Sequence, residues 1–290
     1  MAYLLWIGGA RAIYAAGKIR TILERLLSMR LGFFLRGWSV QRRCLMALLV
    51  RDIMMKYGRE HLGFVWLILE PMLLTIGVLI LWSVLKGGYE HGLRIVELVL
   101  TGYMLLTLWR HVTTSPVLLL RRSTAIFYHQ KVSHFDVFFS RIVLEFGGTT
   151  AALVIVTLTL FLMGIIDPTI DWALFIGGWL AMAGLASGAG AIILAATELN
   201  ETMERFIQPI QYLLVPISGV FFLVEWLPSD AQRLVLLNPL VHCYEMFRAG
   251  FFNNNIETHF SVPYVLAWIF ILNFLGMMFI EKVRNNFQPI

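Results

Sequence analysis

Six stretches of this chain, at about 62–85, 96–120, 142–166, 172–196, 206–224 and 262–280, are long and apolar enough to cross a bilayer as helices. A hydrocarbon core of about 30 Å needs roughly 20 helical residues per crossing. In lipid, backbone polar groups must be satisfied within the segment, so the fold class that follows is an all-α integral membrane protein. Composition agrees: 59% of the 290 residues are hydrophobic and 14% are charged, against about 25% charged in soluble domains. Two parts are expected, a segment over 1–61 carrying an amphipathic interfacial helix and a six-span domain over 62–290. The third and fourth runs are the cleanest. The fifth is interrupted by Pro209, Pro216 and Gly219, and Pro228 and Pro239 follow. Broken helices persist at membrane depth only against protein or a water-lined cavity. The stretch 225–252 is too polar to span and too apolar for an ordinary loop, and predicts a pair of short re-entrant helices at the outer face.

Orientation follows from Lys and Arg. Eleven precede the first span, Arg121, Arg122, Lys131 and Arg141 fall between spans two and three, and Lys282 and Arg284 lie in the tail. The opposite side carries Lys86, Arg94, Arg233 and Arg248. Both termini are therefore expected in the cytoplasm. The net charge of +5 is this inside bias and calls for no nucleic acid. Cys44 and Cys243 fall on opposite sides, which predicts no disulfide. The short apolar run 1–10, followed by Arg11, reads as no cleavable signal, leaving insertion to the first true span.

Within 32–60, Leu45, Leu48, Leu49, Ile53 and Met54 recur at helical spacing with Arg42, Arg43, Arg51, Asp52, Lys56 and Arg59 between them. That pattern predicts an amphipathic helix in the inner interface, either a basic anchor on anionic lipid or a docking surface for a cytoplasmic partner.

Enzyme chemistry finds no foothold. Near Gly17-Lys18, Ala12 replaces the earlier glycine of a phosphate-cradling loop and Ile19 its hydroxyl residue, so ATP is not bound that way. No zinc-type Cys/His spacing and no nucleophile elbow occur. Ser187 sits among Gly184, Ala186, Gly188, Ala189 and Gly190, a pattern for close helix packing.

The run from Arg51 to Pro71 carries a family pattern: Arg51-Asp52, Tyr57-Gly58, Leu62-Gly63-Phe64, Trp66 and Ile68-Leu69-Glu70-Pro71. Asn238-Pro239-Leu240-Val241-His242, with Glu245 and Arg248, forms a second element. Ile126-Phe127-Tyr128 through Phe135-Asp136, then Arg141 and Leu144-Glu145, forms a third. Together, over about 38–284, these resemble the ABC-2 type permeases and are most similar to the group 2 capsular polysaccharide exporters. The family's usual proline two residues before Asp136 is His134 here.

The resemblance implies a permease that pairs with a second copy of itself and with two cytoplasmic ATPases, ATP and Mg²⁺ being held by those partners. Its cargo would be a lipid-linked polysaccharide leaving across the inner membrane, with a periplasmic adaptor and an outer-membrane channel beyond. O-antigen or teichoic acid export is the alternative cargo. Coupling to the ATPase would fall on Arg51, Asp52, Tyr57 and Arg59, and on Arg121, Arg122, Phe127, Tyr128 and Lys131. On that reading Phe127→Ala and Tyr128→Ala abolish export in a chain that still inserts. The basic residues would equally serve to hold the loop at the lipid surface.

A sugar conduit would be lined by aromatic faces, for which Trp66, Tyr103, Trp109, Tyr212, Phe221, Phe222 and Trp226 are candidates, although Trp and Tyr also gather at membrane interfaces. Glu70, Arg110 and Glu145 must pair or face a cavity, because charge at membrane depth is costly. Either Arg110 forms a structural ion pair with Glu70 or Glu145, or it faces the lumen and attracts phosphate or acidic sugar. Pro71 removes a backbone donor and places a pivot beside Glu70. His242, Glu245 and Arg248, at successive helical turns, form an outer exit gate or satisfy one another. Two other classes compete. An ion-coupled transporter would carry inverted repeats, which the two halves do not display. A transferase acting on lipid-linked sugar would rest on Glu198, Glu201 and Glu204, which also read as a solvated face or an ATPase contact.

Overall fold

The computed structural model describes residues 37, 39–55, 63–86, 89–90, 93–127, 132–253 and 256–286. Residues 39–55 form helix α1, in which Leu48 and Asp52, one turn apart, are buried. The rest of the expected interfacial helix lies outside the described residues.

Four helices are long and apolar enough to cross a membrane among the described residues: α3 (Ile95–Thr114), α6 (His134–Leu162), α7 (Trp172–Leu199) and α11 (Val262–Asn286). Helix α2 (Gly63–Lys86) has 24 residues and contains Pro71. A two-stranded turn, β1 (Tyr89–Glu90) against β2 (Leu93–Arg94), joins α2 to α3.

Several boundaries differ from the sequence reading for local reasons. The second run stops at Thr114 rather than continuing to 120, because Pro116 has no N–H for the ladder and Leu118 turns left-handed at φ 51°. Two single-turn helices follow, α4 (Leu119–Arg122) and α5 (Thr124–Phe127). The third helix starts eight residues early, at His134, since Ser133 and Asp136 close a capping box there. The fifth run is not one helix. Helix α8 (Glu204–Leu214) passes into a 3₁₀ turn over Val215–Ile217, and Gly219 at φ 95° ends the helical path. After a second 3₁₀ turn over Val224–Trp226 come α9 (Ser229–Val235) and α10 (Pro239–Phe252). Asn238 caps α10 and Pro239 begins it, where a missing N–H costs nothing.

Helix α7 is the centre of the bundle, packed by α3, α10 and α11. Its small residues are where the close approaches occur. A Cβ on Gly178 would lie 2.6 Å from the Phe247 nitrogen, and one on Gly188 would lie 2.7 Å from Leu272 Cβ. Gly184 faces Ile269, Gly188 faces Leu272, and Ala191 faces Gly276, so positions rise together and α7 and α11 run parallel. Asn273 Nδ2 donates to the Gly184 carbonyl at 2.9 Å and Ser187 Oγ donates to Asn273 Oδ1 at 2.9 Å, the polar cross-links expected where lipid offers no alternative partner. Phe270, Phe274, Met277 and Met278 of α11 and Leu73, Ile80 and Val84 of α2 point outward as an apolar exterior. Neither Cys44 nor Cys243 is in a disulfide.

Candidate functional site

Charged side chains from three apolar helices converge on one cavity of about 310 Å³. Glu70 comes from α2, Tyr103, Arg110 and His111 from α3, and Arg141 and Glu145 from α6. Arg141 and Glu145 share a helix face at i,i+4. Glu145 is 1% exposed and is held by His111 Nδ1 at 3.2 Å and Arg141 Nε at 3.4 Å. Arg110 does not join that group. Its guanidinium lies over the Tyr212 ring, 5.1 Å from the centroid, a cation–π arrangement. Among the described residues, no carboxylate lies within 4 Å of Arg110 and no cation within 4 Å of Glu70. The expected ion pair of Arg110 with Glu70 or Glu145 is therefore not formed: Arg141 and His111 have taken Glu145, and Arg110 has turned to an aromatic face. Ser115 Oγ, buried and without a hydrogen-bond partner among the described residues, belongs to the same lining.

The aromatic candidates divide. Tyr103 lines the cavity, and Tyr212, 60% exposed, supports Arg110. Trp109 is 9% exposed and donates its indole N–H to Gln211 Oε1 at 2.8 Å, while Gln211 Nε2 donates to Thr113 Oγ1 at 2.7 Å. Trp109 thus belongs to a joint between α3 and α8, not to an open wall. Phe221 stacks on Trp82 at 5.5 Å, Phe222 and Trp226 are half-buried in the chain between α8 and α9, and Trp66 lies in the first turn of α2. The structure brings Glu70, Tyr103, Arg110 and Glu145 together, with Tyr212 against Arg110, and places Trp109 and Phe221 in other contacts.

A second cluster ties α4 to the junction of α7 and α8. The Glu198 side chain, fully buried, accepts the backbone N–H groups of Leu120 at 2.7 Å and Arg121 at 3.2 Å. Arg121 Nε lies 3.4 Å from Glu198 Oε2, and its guanidinium donates to the Glu198 carbonyl at 2.9 Å and pairs with Glu201. Arg122 lies 3.7 Å from Glu204. The acidic triplet at i, i+3, i+6 therefore meets the basic pair of this same chain. Phe127 is 6% exposed and stacks on His134 at 4.3 Å. Arg51 Nε donates to Asp52 Oδ1 at 2.9 Å. Tyr57, Arg59, Tyr128 and Lys131 lie outside the described residues.

The third cluster sits on α10. Arg248 is 0% exposed and donates to the carbonyls of Gly219 at 2.8 Å, Val220 at 2.7 Å and Phe222 at 2.7 Å. Glu245 accepts the N–H groups of Val224 at 3.2 Å and His259 at 3.0 Å. Burial pushes its carboxyl up, opposed by the His259 N–H, Arg248 and the Val224 N–H. His242 donates from Nε2 to the Leu236 carbonyl at 2.8 Å and accepts at Nδ1 from the Ser261 N–H at 3.0 Å. The three residues do not form ion pairs with one another; each holds backbone that would otherwise lie unpaired at a helix end.

Sequence reasoning missed Gln211, Glu198 as a cap, and the hold of Arg141 on Glu145. Only the last had a readable signal, the i,i+4 spacing.

Comparison with known proteins adds an independent line. A family model for the ABC-2 type transporter matches residues 43–252. The capsule polysaccharide export inner-membrane protein CtrC of Neisseria meningitidis serogroup A is 34% identical over 256 residues, covering 88% of this chain and 97% of that protein. The capsule polysaccharide export inner-membrane protein BexB of Haemophilus influenzae is 30% identical over the same shares. The polysialic acid transport protein KpsM of Escherichia coli is 22% identical over 83% of this chain and 93% of its own length.

Proposed function

This chain belongs to the ABC-2 type transporter family, and on that premise we propose that it is the permease subunit of an ATP-driven exporter moving lipid-linked capsular polysaccharide across the inner membrane. The observation that carries the reading is similarity to capsule-export proteins along nearly their whole length. The chain is not itself the ATPase. It has no phosphate-cradling loop, and ATP with Mg²⁺ is bound and hydrolysed on a separate subunit.

Two copies of the chain with two ATPases make the working unit, and both termini lie in the cytoplasm, on the strength of the Lys and Arg distribution. Six crossings are supported by packing direction. The parallel run of α7 and α11 supports a return crossing between them, which we assign to 204–224, ahead of the short helices α9 and α10. Those two then form the re-entrant pair at the outer face. The Arg121–Glu198 clamp lies at the inner face, where an ATPase stroke would arrive, and the polar cavity is part of the wetted route taken by the cargo.

Purification of the chain from its native membrane in mild detergent tests this. A stoichiometric soluble subunit with nucleotide-binding motifs and ATPase activity is expected. A chain that emerges alone in several mild detergents, with no such subunit encoded beside it, overturns the reading.

A further inference from the structure

One side chain of the α10 cluster has its charge state fixed by its partners. His242 is 6% exposed, and each of its ring nitrogens meets a backbone group of one kind. Nδ1 faces the Ser261 N–H at 3.0 Å, which can only donate. Nε2 faces the Leu236 carbonyl at 2.8 Å, which can only accept. The ring is therefore neutral, with its single proton on Nε2. A second proton would go onto Nδ1 and set two donors against each other. Charging this ring breaks its bond to Ser261.

That bond holds the connection that leads into α11. Among the described residues, 256–261 is tied back at three places. The His259 N–H donates to Glu245 at 3.0 Å, the His259 ring lies 2.9 Å from Glu225, and Ser261 is bound to His242. In the first turn of α11 the Tyr264 hydroxyl donates to the Leu237 carbonyl at 2.8 Å, and its ring lies 5.0 Å from that of His242. His242 thus joins the end of α9, α10 and the chain entering α11. The two histidines answer acid in opposite ways. His259 meets a carboxylate, and a proton on its ring strengthens that contact. His242 meets a donor, and a proton on its ring repels it.

The surrounding charges are already committed. On α10, Glu245 accepts from Val224 and His259, and Arg248 is spent on carbonyls. Glu225 is taken by His259, and Glu97 of α3 accepts the Asp167 N–H. Glu257 of the connection and Asp230 and Arg233 of α9 are exposed. Helix α7 carries no charged side chain from Trp172 to Thr197, and α11 none from Val262 to Ile280. What a proton on His242 Nδ1 meets first is the Ser261 N–H.

Imidazole is the side chain whose ordinary charge change falls between pH 5 and 8. We propose that His242 is a proton-sensitive latch. Neutral, it holds 256–261 and the end of α9 on α10. Protonated, it releases Ser261, and the connection into α11 loosens while His259 stays on Glu225. The tie is present at high pH and lost as pH falls. The inference stands on these bonds and is independent of the cargo. On the orientation proposed above, the latch faces the outer compartment.

The test is amide hydrogen exchange of the purified full chain at pH 7.5 and pH 5.5. Each amide is referred to the same amide in an unstructured peptide at the same pH, which removes the intrinsic effect of pH on exchange. Protection over 256–261 is expected to fall about fivefold or more on acidification, the equivalent of one hydrogen bond. His242→Asn puts a non-titrating acceptor near the Nδ1 position and should hold protection constant between the two pH values. His259→Gln should keep the fall. Wild-type protection that ignores pH overturns the proposal. A fall that persists in His242→Asn assigns the response to another group, Glu245 among them, and overturns it as well. So does a fall abolished by His259→Gln. Should His242→Asn not fold, nitrogen NMR of the wild-type chain labelled at histidine carries the test. The Nε2–H neutral form is expected where protection is high, and a charged His242 ring beside a still-protected Ser261 is fatal.

Discussion

Arg248 and Arg110 are both arginines in an apolar bundle, and their surroundings are opposite. Arg248 is enclosed and spends its donors on three carbonyls where the chain breaks between α8 and α9. Arg110 lies on a cavity wall, steadied by one ring and matched to no carboxylate among the described residues. The first is what a broken helix requires, because each freed carbonyl at membrane depth costs several kcal/mol if left unpaired. The two differ in what their donors meet: Arg248 is tied through Nη1 and Nη2 to carbonyls of its own chain, with Nε unpartnered among the described residues, and Arg110 meets a ring and a cavity.

The comparison is broken or sharpened by a short series of substitutions. Arg248→Leu should have the largest effect, removing the protein from the membrane fraction, because three buried carbonyls lose their donor at about 1–3 kcal/mol each; a normal level on immunoblot would dissolve the contrast. Arg110→Gln should leave the level within about twofold while export falls tenfold or more, by the free-energy equivalent of one charge-assisted bond. Surface capsule measured against protein level separates the two. Glu198→Ala should cost about 1–3 kcal/mol for the uncapped N–H groups and the lone Arg121, seen as lower thermal stability of the purified chain and weaker ATPase retention. Glu70→Gln, with no ion pair to lose among the described residues, should keep wild-type stability and reduce export only several-fold. Leu266→Val, on the exposed face of α11, should change neither level nor export, within about 0.5 kcal/mol.

Much of this was legible in residue order. Apolar run length located α2, α7 and α11 closely, and the prolines at 209 and 216 marked the broken segment. The small residues of α7 announced its central place. Other features depended on distance in space. Nothing in the order of residues says that Arg110 will rest on Tyr212 while Arg141 takes Glu145, because several cations compete for one carboxylate and packing alone decides. Nor does residue order say that the Phe127 ring will stack on His134, seven positions on. Glu198, Glu201 and Glu204 read as a solvated ladder because their partners, Arg121 and Arg122, are nearly eighty residues away.

Helix α7 meets the backbone of its neighbours at several of its small residues. A Cβ at Gly250 would come within 2.1 Å of the Phe175 nitrogen, and one at Gly188 within 2.8 Å of the Asn273 nitrogen. Backbone so close cannot be turned past without collision. Over 28 residues the helix is about 42 Å long, with the Glu198 clamp at one end and α10 seated against the other. Held this closely, the helix is a stiff link, and a displacement imposed at the clamp end is expected at the α10 end with little lost to twisting.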